Sequence, residues 1–318
     1  MLDKLHIKNF LTFDELLVED LKRVNLIAGQ NNSGKTAFLE AIRILESEGD
    51  DTVINNILND RGVFIPSRND IYENLFNRNR LENVDFSQKN SKICIEINNF
   101  KLIKNQVSTR KFRSLPDNDS SLYLPNPSAS PDFPNDNLVY VSYNSQNQKL
   151  ENLWDNIVLK PEEDDVLNIL KNTIEERIER FAIVNGKVFF ELSNPKIRVP
   201  MSTMGDGIKR ILLIALSLAN AKGKVLLIDE IEMGLHHTVI EKLWKLIFKY
   251  AKLWNIQVFV TTHSQDVLKT FYYVASEKGN EGEGKYFRLQ KNRADEMEAV
   301  ALTMDELELS LDVNLEIR

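Results

Sequence analysis

The chain has 318 residues, 42% hydrophobic and 27% charged, which supplies enough apolar material for one large core or two modest ones and excludes disorder throughout. Forty basic residues against 47 acidic ones give a net charge of −7, so no global basic field draws the molecule to nucleic acid or to an anionic membrane. The single cysteine, Cys94, excludes an internal disulfide and a cysteine-rich zinc site; with no apolar signal core after Met1 and no run of about 18 apolar residues, the expectation is a soluble cytoplasmic protein without a membrane span.

In chain order, residues 4–28 predict two strands around a turn, Leu5, Ile7 and Phe10 in the first and Val24 to Ile27 as a short buried run in the second. From Lys35 to Leu45 the apolar residues Ala37, Phe38, Ala41, Ile42 and Leu45 recur at spacings of three and four, which predicts a helix. The first unit is strand, glycine loop, helix. Residues 48–136 are rich in Asn, Asp and Ser and read as a polar insertion, with paired strands at Lys92–Ile97 and Asn99–Ile103, a short basic stretch at Arg110, Lys111 and Arg113, and a mobile loop at 114–136.

Regular structure resumes with a strand at Leu138–Tyr143 and a helix from about Glu162 to Phe181. Asn185-Gly186 predicts a tight hairpin between 182–184 and 187–192, because both residues tolerate positive φ. A helix at about 207–222, a strand at Val225–Ile228, a helix at 238–254 and a strand at Val258–Thr261 follow. Strands alternating with helices predict an α/β fold with a largely parallel, covered sheet.

Four segments carry chemistry. Gly29-Gln-Asn-Asn-Ser-Gly-Lys-Thr36 fits G-x-x-x-x-G-K-[ST] and falls between a predicted strand and helix, where backbone N–H groups and the positive helix end suit phosphates. In such a loop Lys35 reaches the β and γ phosphates and the Thr36 hydroxyl is placed to ligate Mg²⁺. Val225-Leu-Leu-Ile-Asp-Glu230 is a buried strand ending in two carboxylates, Asp229 on the metal side and Glu230 toward the attacking water. Met201 to Arg210 brings Ser202, Thr203, Gly205, Asp206 and Gly207 to the start of an apolar helix, with Asp206 as its cap; in a head-to-tail dimer this helix end faces the partner's γ phosphate. His263, at the end of a strand, is placed to hydrogen-bond the γ phosphate or the water. His236 and His237 do not form a recognised metal-ligand spacing.

In this order, 29–36, 201–210, 226–232 and 261–264 resemble the Walker A, signature, Walker B and switch-histidine elements of ABC-type ATPases. Met-Gly-Asp-Gly followed by Lys-Arg, Asp-Glu-Ile-Glu-x-Gly-Leu-His and Thr-Thr-His-Ser are similar to the OLD (overcoming lysogenisation defect) group of AAA-type ABC ATPases, relatives of the structural-maintenance-of-chromosomes heads. The resemblance spans 1–47 and 138–318 and implies one ATPase domain with a mostly parallel sheet, an N-terminal antiparallel β subdomain and a helical signature subdomain. It implies ATP and Mg²⁺ as ligands, with Gly29, Asn31, Asn32, Ser33, Gly34, Lys35 and Thr36 on nucleotide, Asp229 on the metal, Glu230 on water, His263 on the γ phosphate, and Ser202 or Thr203 with Gly205 to Gly207 acting across the dimer. Gln146, or Gln148 two residues on, is the candidate Q-loop glutamine on the metal, and Gly234-Leu235-His236 resembles the D-loop. Only 54 residues follow Ser264, so no fused Toprim nuclease is expected, and Asp305, Glu306 and Glu308 read as a solvated helix face. The implied role is an ATPase switch, a homodimer or higher oligomer, acting with a separately encoded effector such as a Toprim nuclease or toxin, in antiphage defence.

Three other readings compete: a non-hydrolysing ATP-bound scaffold, a DNA clamp using Lys101, Lys104, Arg110, Lys111 and Arg113 beside Phe112, and a P-loop kinase. Glu230 and His263, needed only for turnover, argue against the first. The absence of an identifiable acceptor pocket argues against the last.

Overall fold

The computed structural model describes residues 1–62, 84–88, 91–96, 99–104, 107–111, 137–142 and 147–312. The first 28 residues form three strands instead of the expected two: β1 (Leu5–Phe10), β2 (Phe13–Val18) and β3 (Val24–Ala28). β2 pairs antiparallel with β1 and buries Phe13, Leu16 and Val18. Asp14 and Glu15, side by side on its less buried part, interrupt the apolar alternation by which a strand is recognised.

After β3 come helices α1 (Lys35–Glu46) and α2 (Asp51–Asp60), the second capped by Asp50, whose carboxylate accepts the N–H groups of Thr52 and Val53. Four strands, β4 (Val84–Gln88), β5 (Ser91–Glu96), β6 (Asn99–Lys104) and β7 (Val107–Lys111), then extend the N-terminal sheet in the order β2-β1-β4-β5-β6-β7, every neighbour antiparallel. The expected strand pair is present as β5 and β6. Arg110 and Lys111 lie in β7, with Lys111 opposite Lys101; Phe112, Arg113 and the expected loop at 114–136 lie outside the described residues.

The central sheet has the order β15-β14-β3-β13-β12-β8, built from β8 (Leu138–Val141), β12 (Val225–Ile228), β13 (Gln257–Thr262), β14 (Gly284–Lys291) and β15 (Met297–Leu302) around β3. All its pairings are parallel except that of β15 at one edge. Every residue of β3, β12 and β13 is buried, as a sheet covered on both faces requires. One face, with Leu26, Val258, Leu226 and Val139, packs on helices α3 (Asn147–Asp155), α4 (Glu162–Thr173), α5 (Asp206–Asn220), α6 (His237–Leu253) and α7 (Gln265–Ala275). The other, with Ile27, Phe259, Leu227 and Tyr140, shares a core with α1 and the N-terminal hairpin. Helix α8 (Met304–Asp312) buries Leu307 and leaves Asp305, Glu306 and Glu308 exposed, as the sequence predicts.

The helix expected from Glu162 to Phe181 stops at Thr173, whose hydroxyl turns back onto the Ile169 carbonyl. Ile178 and Phe181 instead belong to β9 (Ile178–Val184), paired with β10 (Lys187–Leu192), which in turn pairs with β11 (Ile197–Pro200). The expected turn is present, with φ of 49° at Asn185 and 71° at Gly186. That turn fixes a register running back to Ile178, and ladder pairing outweighs a helical spacing that merely continues by coincidence.

Candidate functional site

Strand β3 delivers the chain to the carboxyl edge of the central sheet, and Gly29 to Gly34 form the loop that turns it into α1. Gly34 caps α1 with φ of +86°, and a Cβ there would lie 2.6 Å from Thr12 Cγ2 and 2.9 Å from Phe13 Cζ, so the N-terminal hairpin presses directly on the loop. Asn31 and Asn32 are exposed at its tip, Asn32 with φ of 64°. Buried Lys35 donates from Nζ to the carbonyls of Gly29 and Gln30, both at 2.9 Å, which curls the loop around its ammonium. Burial pushes the Lys35 pKa down, and the carboxylates of Glu230, Asp229 and Glu232 oppose that shift. The Ser33 hydroxyl is buried in the same loop without a hydrogen-bond partner.

The carboxylate of Asp229, just past β12, meets this loop. Its Oδ2 accepts the Thr36 hydroxyl at 3.0 Å and its Oδ1 the Thr261 hydroxyl at 2.5 Å, so both oxygens are held. The Thr261 hydroxyl also accepts the backbone N–H of Glu230 at 2.8 Å. Glu230 takes the left-handed conformation with φ of 49°, uncommon for a side chain this long. Its carbonyl is held from the other side by Arg210, whose Nη2 donates to the carbonyls of Asp229 at 2.6 Å and Glu230 at 3.1 Å while Nη1 reaches that of Ser142 at 2.9 Å. Burial lowers the pKa of this guanidinium, and Asp229 and Glu232 counter it.

His263 follows β13 and lies beside the same strand end. Its Nδ1 is 3.6 Å from Glu230 Oε1 and 3.1 Å from Glu232 Oε1, and its backbone N–H donates to Glu232 Oε1 at 2.9 Å.

The 201–207 segment is a single turn of 3₁₀ helix, Met201–Thr203, leading into α5. Gly205, not the expected Asp206, takes the cap position, and no side chain caps the first turn; Asp206 is the first helical residue because only a glycine accommodates φ of 99° with ψ of 157° at the preceding position. The Thr203 hydroxyl donates to the Pro200 carbonyl at 2.8 Å, whereas Ser202 is exposed. Gly207 packs against the D-loop candidate: a Cβ there would lie 2.6 Å from the Gly234 carbonyl oxygen.

The structure therefore brings together Lys35, Thr36, Asp229, Glu230 and His263. Among the described side chains, no hydrogen bond or ion pair joins 202–207 to 29–36. Gln146 lies outside the described residues, and Gln148 is placed in α3. Three contributors escape sequence reasoning: Thr261, which ties Asp229 to Glu230; Glu232, which holds the His263 backbone; and Arg210, which ties α5 to the ends of β8 and β12. Arg210 is the one with a signal, a buried cation on the apolar side of a helix.

Chemically, a hydroxyl and a carboxylate within 3.0 Å are the hard oxygen donors that Mg²⁺ takes, and a buried unpartnered serine hydroxyl beside a lysine in a glycine-bounded loop suits phosphate oxygens. Among the described residues, no group of three or more His, Cys, Asp or Glu is gathered as a metal cluster.

A family model described as "AAA domain, putative AbiEii toxin, Type IV TA system" matches residues 24–269. An "ATP/GTP phosphatase" from Helicobacter pylori is 23% identical in an alignment covering 92% of this chain and 93% of that protein. An uncharacterized protein from Methanocaldococcus jannaschii is 39% identical over 85 residues, 27% of this chain and 75% of its own length. Among solved structures, an SMC head bound to the C-terminal winged-helix domain of ScpA superposes with a TM-score of 0.60 at 14% identity, covering 97% of this chain and 99% of that one. The SMC head domain from Thermotoga maritima gives 0.51 at 14% identity, with 95% and 99% covered. The fold is that of an SMC-head-like P-loop ATPase.

Proposed function

We propose that this chain, which belongs to the AAA-domain family whose model it matches over 24–269, is an Mg²⁺-dependent ATPase of the OLD group that turns over ATP in a head-to-tail dimer. The observation that carries this reading is the Thr36 to Asp229 contact of 3.0 Å, with Glu230 next in sequence and the His263 ring beside it. Loop N–H groups, Ser33 and Lys35 bind the phosphates of ATP, and Thr36 and Asp229 hold Mg²⁺, which supplies neutralisation of phosphate charge when bound. Glu230 accepts a proton from the attacking water, and its backbone, fixed by Thr261 and Arg210, keeps the carboxylate on the loop side of the sheet edge. His263 hydrogen-bonds the γ phosphate or that water. Ser202 and the uncapped start of α5 close the site from the partner chain, a head-to-tail use of a helix N-terminus.

In this reading the chain is one ATPase domain with an insertion at about 48–136, working in the cytoplasm as the switch subunit of a multi-component system with a separately encoded effector, in antiphage defence. The toxin system named in the family description supports it, as does the phosphatase name of the Helicobacter relative. No helix among the described residues is long and apolar enough to cross a membrane.

The test is ATP turnover and oligomer mass for the wild type and Glu230→Gln, with and without ATP and Mg²⁺. Turnover by the wild type together with an ATP-held dimer of the variant upholds the reading. Binding of ATP by both without turnover or change of mass removes it in favour of a scaffold.

A further inference from the structure

The Asp229-Glu-Ile-Glu232 segment carries two glutamates, and the second has no task in the mechanism above. Glu232 is only 14% exposed. Its Oε1 accepts the backbone N–H of His263 at 2.9 Å and lies 3.1 Å from Nδ1 of the same residue. The competing carboxylate, Glu230 Oε1, is 3.6 Å from Nδ1. Both Nδ1 and Glu232 Oε2 are sealed from solvent, and neither has an aligned hydrogen-bond partner, so the 3.1 Å contact is close but off its axis. A buried Nδ1 without an aligned partner carries a free-energy penalty, and a small rotation of the imidazole onto Glu232 Oε1 relieves it.

We propose that Glu232 is the positioning residue for His263, holding the proton on Nδ1 and drawing that nitrogen away from Glu230. A neutral imidazole has a single N–H, and its partner decides which nitrogen carries it. Were Nδ1–H to bond Glu230, the base would be occupied. Glu232 cannot drift away in the same manner, because the His263 peptide N–H anchors its Oε1. Nδ1 is therefore spoken for, Nε2 is the working nitrogen of a ring that is 41% exposed, and the Glu230 carboxylate stays open to water. The consequence for rate rests on the proposed roles of Glu230 and His263; the protonation pattern of the ring does not.

The experiment uses the full chain with ¹⁵N-labelled imidazoles. Only four histidines are present, and His263→Gln assigns the signal of interest. Without nucleotide, the wild-type ring is expected to carry a proton on Nδ1. Glu230→Ala is expected to leave the proton on Nδ1, because Glu232 holds it, and adding Glu232→Leu, which removes the remaining acceptor, moves it to Nε2. In Glu232→Gln the carbonyl oxygen takes the place of Oε1, accepts both the His263 N–H and Nδ1–H, and keeps the ring state. In turnover assays Glu232→Leu lowers kcat about 10- to 100-fold, the scale at which carboxylates that orient a functional histidine are felt, and leaves KM for ATP within about twofold. Glu232→Gln, which keeps the acceptor, recovers part of that loss. An unprotonated Nδ1 in the wild type, or one ring state shared by Glu230→Ala and the double variant, overturns the proposal, as does equal loss of rate in the Leu and Gln variants. Absence of ATP turnover in the wild type would remove the functional reading and leave the imaging of the ring by NMR to decide this one.

Discussion

The Thr36 hydroxyl donates to Asp229 Oδ2 at 3.0 Å across 193 positions of sequence, and the second oxygen of the same carboxylate is taken by Thr261 at 2.5 Å. Asp229 thus cannot rotate freely, and an asparagine in its place must turn its amide toward one of the two hydroxyls. Asp229→Asn is expected to fold and to lose the dependence of ATP binding on Mg²⁺, with affinity in Mg²⁺ falling about 10- to 100-fold. Calorimetric titration with and without Mg²⁺ measures this. An undiminished Mg²⁺ effect in the variant would show that the metal is held elsewhere.

Gly34 combines a left-handed backbone with contact against the N-terminal hairpin. Gly34→Ala is expected to cost about 1–2 kcal/mol for the backbone and a further 1–3 kcal/mol or so for overpacking against Thr12 and Phe13. Gly223 supplies the control, with φ of +74° and nothing within 4 Å of a built Cβ, so Gly223→Ala bears the first cost alone. Urea unfolding of the two variants compares them directly. Equal losses would mean that the hairpin yields and does not brace the loop.

The strand, glycine loop and helix around 29–36 are legible in the sequence because a buried run, two glycines and a helical period coincide in one stretch, and Asn185-Gly186 specifies its hairpin through local φ preferences alone. β2 is not, because Asp14 and Glu15 mask its alternation, and the helical spacing of α4 runs past its true end because Ile178 and Phe181 continue it by accident. The site divides in the same way. Lys35, Thr36, Asp229 and Glu230 lie in contiguous motifs, whereas Arg210, Thr261 and Glu232 acquire meaning only when α5, β12 and β13 meet at one edge of the sheet. The period of α5 marks Arg210 as a cation on the apolar side of the helix, but the three carbonyls it binds lie 19 to 68 positions away in the chain and only the fold brings them to it.

Within the 201–207 segment the two hydroxyls are not equivalent. That of Thr203 donates to the Pro200 carbonyl at 2.8 Å and closes the 3₁₀ turn, while Ser202 is exposed and makes no hydrogen bond among the described residues. Ser202→Ala is therefore expected to lower turnover about tenfold or more, the loss of one hydrogen bond to a charged group, without weakening nucleotide binding to the isolated chain. Thr203→Ala should cost at most about 1 kcal/mol of stability and keep turnover within about twofold. Steady-state rates beside thermal melts test both; the reverse ranking would assign the trans contact to Thr203.

One turn beyond Thr36, Glu40 has a side chain only 3% exposed and receives Arg61 through Nε at 3.0 and 3.1 Å and Nη2 at 2.6 Å. Burial raises its pKa above the ordinary 4.5, with Arg61 opposing, so desolvation outweighs the ion pair. A carboxyl raised in the folded state binds its proton more tightly there than in the unfolded chain, and its contribution to stability falls as pH rises from about 4.5 to the folded value. Glu40→Gln removes this titration and takes this anion from Arg61 at every pH, a constant offset. The stability of the variant relative to the wild type is accordingly expected to improve between pH 4 and pH 7, whatever its sign at either end. Urea unfolding at the two pH values measures the difference of differences. A relative gain by the wild type on raising the pH would mean that Arg61 prevails over burial, and that the helix following the phosphate loop is clamped by the ion pair itself.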